Sequence, residues 1–322
     1  MDGNSSAAGG RSPPESRELT DPPATAEAGY HLLSEMKRHV SFLAGALFCC
    51  ALLCAQQKVP LEPPHDSGQG VTPAYEGYFE NSDGSFSILF GYFNRNVKEV
   101  LDIPVGPDNL IEPGGPDRGQ PTHFLTGRQW GLFTIMVPKG FSEKLTWTLA
   151  ANGKTAVVPA NLNPLYLLAP FKDATGNTPP FIGFAETGPS VQGPRGQSTS
   201  LTTTLPNPAQ LTLWVADDAH VAPGQRQLST PPVTVSLSKY RGPGLVTFTP
   251  DHLQVEKAEL KAPPIATFSG EVTASATFSE PGEYILHVVA NDWSGVGGGG
   301  FQCCWTNAQI KVSVRPAGSV GP

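Results

Sequence analysis

The sequence predicts an all-β protein, two β-sandwich domains behind an N-terminal export segment, and three observations carry that expectation. The chain is heavily punctuated, with 35 glycines and 33 prolines among 322 residues, yet 39% of it is apolar. That balance suits many short strands joined by turns better than helices or a disordered chain. Alternation at period two recurs along the chain, most clearly at Tyr284, Leu286, Val288 and Ala290. Asp83-Gly84 and Asn152-Gly153 separate neighbouring alternating runs, as hairpin turns do. The length is a prior for about two domains. A formal net charge of −7 without a basic patch argues against nucleic acid as a partner.

Taken in order, residues 1–35 are rich in Ser, Ala, Pro, Gly and Glu without apolar periodicity, a composition that reads as disorder. Met36 then opens a basic Lys37-Arg38-His39, an apolar run from Val40 to Ala55 and polar Gln56-Gln57. This is the layout of a secretory signal over 36–55, with cleavage expected after Ala55 and translation expected to start at Met36. The alternatives are an uncleaved signal anchor, for which the run is short against the ~20 residues of a membrane span, and lipidation at Cys54, which the bulk of Leu53 disfavours. Membrane contact is expected only through an uncleaved segment at residues 40–55. The protein is expected in the periplasm, on the cell surface or outside the cell.

Residues 56–74 are Pro- and Gly-rich and read as a linker. Strand signals start at Tyr75, turn at Asn81–Gly84 and resume through Tyr92-Phe93. Short strands follow at Val100–Val105, Gln129–Val137, Leu145–Ala151 and Lys154–Pro159, so residues 75–170 read as a first sandwich with a long loop at 106–128. Residues 171–204 are poor in apolar side chains and rich in Ser, Thr, Gly and Pro, the composition of an interdomain linker. A second sandwich is expected over 205–315, with residues 316–322 as a tail.

The second sandwich carries a family pattern. Ala216-Asp217-Asp218, Ser238-Lys239-Tyr240-Arg241-Gly242-Pro243-Gly244, Pro281-Gly282-Glu283-Tyr284 and Ala290-Asn291-Asp292 stand in the order seen in polycystic-kidney-disease (PKD) and related immunoglobulin-like repeats of bacterial surface proteins. Residues 205–314 resemble those repeats, with Leu237 where the family often has tryptophan. Tyr284 just after Pro281-Gly282 also resembles the tyrosine corner of immunoglobulin-like sandwiches. The resemblance covers a third of the chain and implies an immunoglobulin-like fold for this sandwich in an exported protein, so that with the first sandwich two immunoglobulin-like β-sandwich domains are expected; it implies no activity, because such modules serve adhesion, carbohydrate binding and spacing alike.

In that topology the ends of Leu211–Ala216 and Ile285–Ala290 share a pole, bringing Asp217-Asp218 to Asn291-Asp292 beside the Gly297–Gly300 loop. Asp217, Asp218 and Asp292 are candidate oxygen ligands for calcium, the one cofactor considered; the alternative is that they start turns. Cys303 and Cys304 are adjacent, with Cα atoms about 3.8 Å apart across a trans peptide. The options for them are a vicinal disulfide, which we favour, a soft-metal site for Cu(I), intermolecular bridges or inert thiols. Phe301 and Trp305 flank them as candidate contact aromatics, the alternative being rings tucked against the sandwich.

The expected function is a non-enzymatic binding or structural module. Its contact pole is formed by the loops at 217–232 and 293–307, and its ligand is an extracellular or periplasmic protein or carbohydrate. Two rivals stand beside it. One is a hydrolase or metal-dependent enzyme using His123 with Asp108, Glu112, Asp117 and Arg128 in or near the 106–128 loop. The other is a copper or redox protein working through Cys303-Cys304. No Gly-x-Ser-x-Gly, His-Glu-x-x-His or phosphate-binding glycine loop occurs in the sequence, and no catalytic residue is assigned.

Overall fold

In the computed structural model, the residues described are 63–221, 224, 231–259, 261, 263–296 and 303–318. The signal or anchor expected at 36–55 and the disorder expected at 1–35 lie outside them. The strands in order are β1 Val71–Glu80, β2 Phe86–Asn94, β3 Leu101–Asp102, β4 Asn109–Glu112, β5 His123–Phe124, β6 Gly127–Val137, β7 Leu145–Ala151, β8 Lys154–Ala160 and β9 Phe181–Gly183. They continue with β10 Ser190–Val191, β11 Gln197–Thr204, β12 Ala209–Asp217, β13 Thr234–Arg241, β14 Val246–Thr249, β15 Glu256–Lys257, β16 Phe268–Phe278, β17 Gly282–Asn291 and β18 Trp305–Arg315. The chain is all-β, and among the described residues no helix is long and apolar enough to cross a membrane.

The first lobe packs the sheet β1-β2-β6 against the sheet β4-β7-β8, with β3-β5 as a short separate ribbon. Trp147 of β7 lies between the two layers, edge-on to Phe90 and Phe133 with ring centroids 5.8 and 5.2 Å away. Its buried Nε1 donates to Asn109 Oδ1 at 3.1 Å, so the indole gives up no hydrogen bond on burial. Asn152 and Gly153 both take positive φ, 51° and 70°, which is the turn that the twist of a tight hairpin requires. They join β7 to β8 as the sequence predicts.

The second lobe packs a six-stranded sheet, β10-β9-β12-β16-β14 with β15 also on β16, against a four-stranded sheet, β11-β18-β17-β13. Leu211, Leu213, Val215, Val272, Ala274 and Ala276 face Leu286, Val288, Ala290, Ile310 and Val312 in one buried core. This is a β-sandwich, and its tyrosine corner is present. Tyr284 Oη donates to Glu280 O at 2.9 Å and accepts from Gly244 N at 3.0 Å. The Gly242-Pro243-Gly244 run has a steric cause. Gly242 has φ 145°, and a Cβ there would stand 2.1 Å from Cδ1 of the Tyr284 ring.

Two boundaries differ from the sequence reading. β1 begins at Val71, inside the stretch read as a linker. Within 171–204, also read as a linker, β9 pairs with β12 and β11 pairs in parallel with β18. The physical reason is that these are short or edge strands, which satisfy backbone bonds without needing an apolar sequence.

Pro63–Pro322 is one compact unit, and its two lobes share a buried seam. The outward face of the four-stranded sheet is covered: Tyr240, His287, Trp305 and Asn307 are all buried there. Tyr240 belongs to the core of the first lobe, and Thr122 N donates to its carbonyl at 3.1 Å. Arg241 adds a bidentate pair with Asp117, both contacts 2.9 Å. His287 is held to about 4 chiefly by burial.

Two outcomes follow from this packing. Gly242→Ala is expected to lower stability by about 3 kcal/mol or more, and Tyr284→Phe by about 1–2 kcal/mol, both read from urea midpoints. His287 is neutral when folded and protonates near 6.5 when unfolded, so the unfolded chain takes up a proton that the native one refuses. Stability therefore falls as pH drops from about 6.5 to about 4. His287→Gln, uncharged at every pH, is expected to flatten that part of a Tm-against-pH curve.

Candidate functional site

The ends of β12 and β17 do meet at one pole. Asp217 is the last residue of β12, Asn291 the last of β17, and Asp218 and Asp292 follow them. Each aspartate also starts a turn, as the alternative reading held: Asp217 Oδ2 accepts Ala219 N at 2.8 Å, Asp218 Oδ1 accepts His220 N at 2.9 Å, and Asp292 Oδ1 accepts Ser294 N at 2.9 Å. Turn chemistry uses one oxygen of each carboxylate. Of the other oxygens, Asp292 Oδ2 and Asp218 Oδ2 accept from Asn177 and Thr178, and Asp217 Oδ1 has no donor.

A segment that the sequence reading passed over joins these ends. Asp173 Oδ1 accepts Thr175 N at 2.8 Å, Thr175 Oγ1 at 2.7 Å and Asn177 N at 3.1 Å, folding residues 173–177 into a tight turn. The turn presents Asn177 and Thr178 side by side. Asn177 Nδ2 donates to Asp292 Oδ2, and Thr178 Oγ1 donates to Asp218 Oδ2 at 2.9 Å. His220 Nε2 lies 3.0 Å from Thr175 O, and Trp293 Nε1 donates to His220 O at 2.5 Å. Asp173-Ala174-Thr175-Gly176-Asn177 is itself a turn signal. That signal could have marked the segment as structured, though not as part of this pole.

The electrostatics are one-sided. Asp217 is 0% exposed and Asp292 2%. Burial pushes the Asp217 carboxyl up to about 8; the Asp218 and Asp292 charges push the same way, against backbone N–H groups of Ala219 and Asp218. Burial also raises Asp292, against its bonds from Ser294 and Asn177. Among the described residues no Lys, Arg or His forms an ion pair with Asp217, Asp218 or Asp292. Asp217 Oδ1 and Asn177 Oδ1 are buried without a hydrogen-bond partner. Among the described residues no three His, Cys, Asp or Glu side chains form a metal-ligand group by themselves.

Cys303 and Cys304 form the vicinal disulfide that the sequence favours, with Cα atoms 3.7 Å apart. Both are buried, and Cys304 takes a left-handed φ of 83°. Asp292 N donates to Cys304 O at 3.4 Å, and Cys304 Sγ lies 3.6 Å from Asn177 O, so the ring borders the aspartate pole. With both sulfurs bonded to each other, neither is a thiolate for Cu(I).

Trp305 is a correction. It is not an exposed contact aromatic: it is 2% exposed, and its Nε1 reaches Gly131 O at 3.4 Å. A Cβ at Gly131 would lie 2.1 Å from the Trp305 ring, so the glycine is the space the indole fills. Phe301 and the Gly297–Gly300 loop lie outside the described residues.

The rival site in the first lobe does not assemble. His123 Nδ1 pairs with Asp102 at 2.8 Å, not with Asp108, Glu112 or Asp117. Lys239 Nζ reaches the same Asp102 oxygen at 3.2 Å. Asp117 is taken by Arg241. Arg128 is held by Glu76 at 2.8 Å and lies over the Trp130 ring.

No protein-family model and no curated protein matches this sequence. Solved structures similar to it include zebrafish RET cadherin-like domains 1 to 4, at 9% identity and TM-score 0.25, over 68% of this chain and 41% of that one. Domains 4 and 5 of the S-layer protein SbsC align at 10% identity and TM-score 0.21, over 77% and 98%. The N-terminal periplasmic domain of ScsB from Proteus mirabilis aligns at 12% identity and TM-score 0.23, over 79% and 96%. The chain thus spans less than half of the RET fragment. At these scores the likenesses assign neither family nor activity.

The disulfide is checked by alkylating the denatured protein without reductant. The peptide carrying Cys303 and Cys304 is expected to take no label, and two labels after reduction.

Proposed function

We propose that this chain is an exported, non-enzymatic binding or structural module related to PKD-like immunoglobulin repeats. Its contact surface is the pole made by the loops at 217–232 and 293–307. The observation that carries the reading is the bond from Trp293 Nε1 to His220 O, which ties one loop directly to the other. Asn177 and Thr178 brace the two strand ends beneath them. A contact surface gains from such bracing, since loops already fixed lose less freedom on binding. The Gly242-Pro243-Gly244 run packed on Tyr284 supports the finer PKD-like assignment. The ligand is an envelope or extracellular protein or carbohydrate. Export follows from the layout of residues 36–55, with the periplasm or cell surface as the destination.

Photo-crosslinking in intact cells tests this. A photo-reactive residue replacing Val296, which is 72% exposed in the 293–307 loop, is expected to give a discrete adduct. The same residue replacing Val157, 56% exposed on β8 of the other lobe, is expected to give none. Adducts of equal yield from both positions, or none from Val296, would overturn the reading.

A further inference from the structure

We propose that the β12/β17 pole binds one hard divalent cation of the calcium class, through the side-chain oxygens of Asp217, Asp292 and Asn177. The inference does not depend on the pole being a contact surface.

Three carboxylates gather at this pole, two of them buried, with no cationic side chain paired to them among the described residues. A buried carboxylate without a partner is costly, and proteins place either a cation or a proton there. Asn177 adds an oxygen to the cluster. It is fully buried, and its Nδ2 donates to Asp292, which sets its amide inside the cluster. Its Oδ1 nevertheless has no donor, and neither has Asp217 Oδ1. A proton on Asp217 would settle that carboxylate and serve Asn177 Oδ1, but it would leave the charges of buried Asp292 and of Asp218 without a counter-charge. A cation serves several oxygens at once and cancels charge from all three aspartates.

The chemistry of the set is that of a hard ion. All donors are oxygens, from carboxylates and one amide, which suit calcium rather than zinc or copper. The nearest sulfurs are tied up in the Cys303–Cys304 bond. Asp218 contributes charge while its oxygens accept from His220 N and Thr178 Oγ1. Three protein ligands fall short of the six to eight oxygens calcium takes, so water supplies the remainder. Binding is then weak, on the order of 10⁻⁴–10⁻³ M as in extracellular modules.

The test is thermal unfolding of the full chain in EDTA, in 10 mM calcium chloride and in 10 mM magnesium chloride. Calcium is expected to raise Tm by roughly 3–5 °C, with a smaller rise from magnesium, and calorimetry is expected to give one ion per chain. Asp217→Asn is expected to abolish the calcium shift while keeping a cooperative transition in EDTA. That transition shows the variant folded; should it not fold, Asp292→Asn reads the same loss. No calcium shift in the wild-type chain, or a shift that survives Asp217→Asn, overturns the proposal. A proton-filled site gives the first of those results.

Discussion

The indole of Trp305 occupies the space that any side chain at position 131 would need, and this contact sets how the two lobes are built. The four-stranded sheet faces its own sandwich core on one side and the first lobe on the other. A sheet buried on both faces has to find partners for most of the polar groups it turns inward. Asn307 Nδ2 donates to Gly131 O at 2.7 Å and Pro194 O at 2.9 Å, and Thr306 Oγ1 accepts Gly193 N at 2.8 Å, while Asn307 Oδ1 and His287 Nε2 are left without a partner. The seam is therefore a polar jigsaw with one aromatic peg, and β18 cannot shift register without breaking all of it.

The same strand links the seam to the aspartate pole. Just before Trp305 the chain passes through the Cys303–Cys304 ring, whose backbone carbonyl accepts from Asp292. Burial on the lobe side and charge clustering on the pole side are thus separated by only two residues. The segment at 173–178 closes the arrangement from outside. Its side chains bond the ends of strands from opposite sheets, so the pole is held by both layers of the sandwich.

Much of this was legible in the sequence, and the parts that were not share a cause. Leu145–Ala151 and the Asn152-Gly153 turn could be placed to the residue, because period two and positive-φ residues are strong local signals. The meeting of Asp217 with Asp292 followed from topology. β9 and β10 escaped because they are only three and two residues long, and β11 because a Ser- and Thr-rich edge strand lacks an apolar face to announce it and its partner lies at the far end of the chain. β18 begins five residues before its apolar alternation at Ile310. Its early positions Thr306 and Asn307 are buried polar residues that a hydropathy pattern takes for solvent-facing ones. The run Tyr284–Ala290, apolar on both faces apart from His287, held the clue, since near-continuous hydrophobicity marks strands covered on both sides. Asn177 carried no such mark; its place depends on a tertiary bond.

The parallel pairing of β11 with β18 has a consequence for the order in which the protein assembles. Gln197 bonds opposite Ala308 and Thr204 opposite Arg315, so β11 has no ladder partner until the last strand has been made. A chain emerging N-terminus first can pair the strands of the β1–β8 lobe, though not fill its core with Tyr240, while β11 waits as an unpaired edge. The closing strand then docks four things together: the β11 ladder, the β17 ladder, the Trp305 peg and the disulfide ring. Long-range pairing of this kind is slow to form, and it makes the C-terminal strand the latch of the whole architecture.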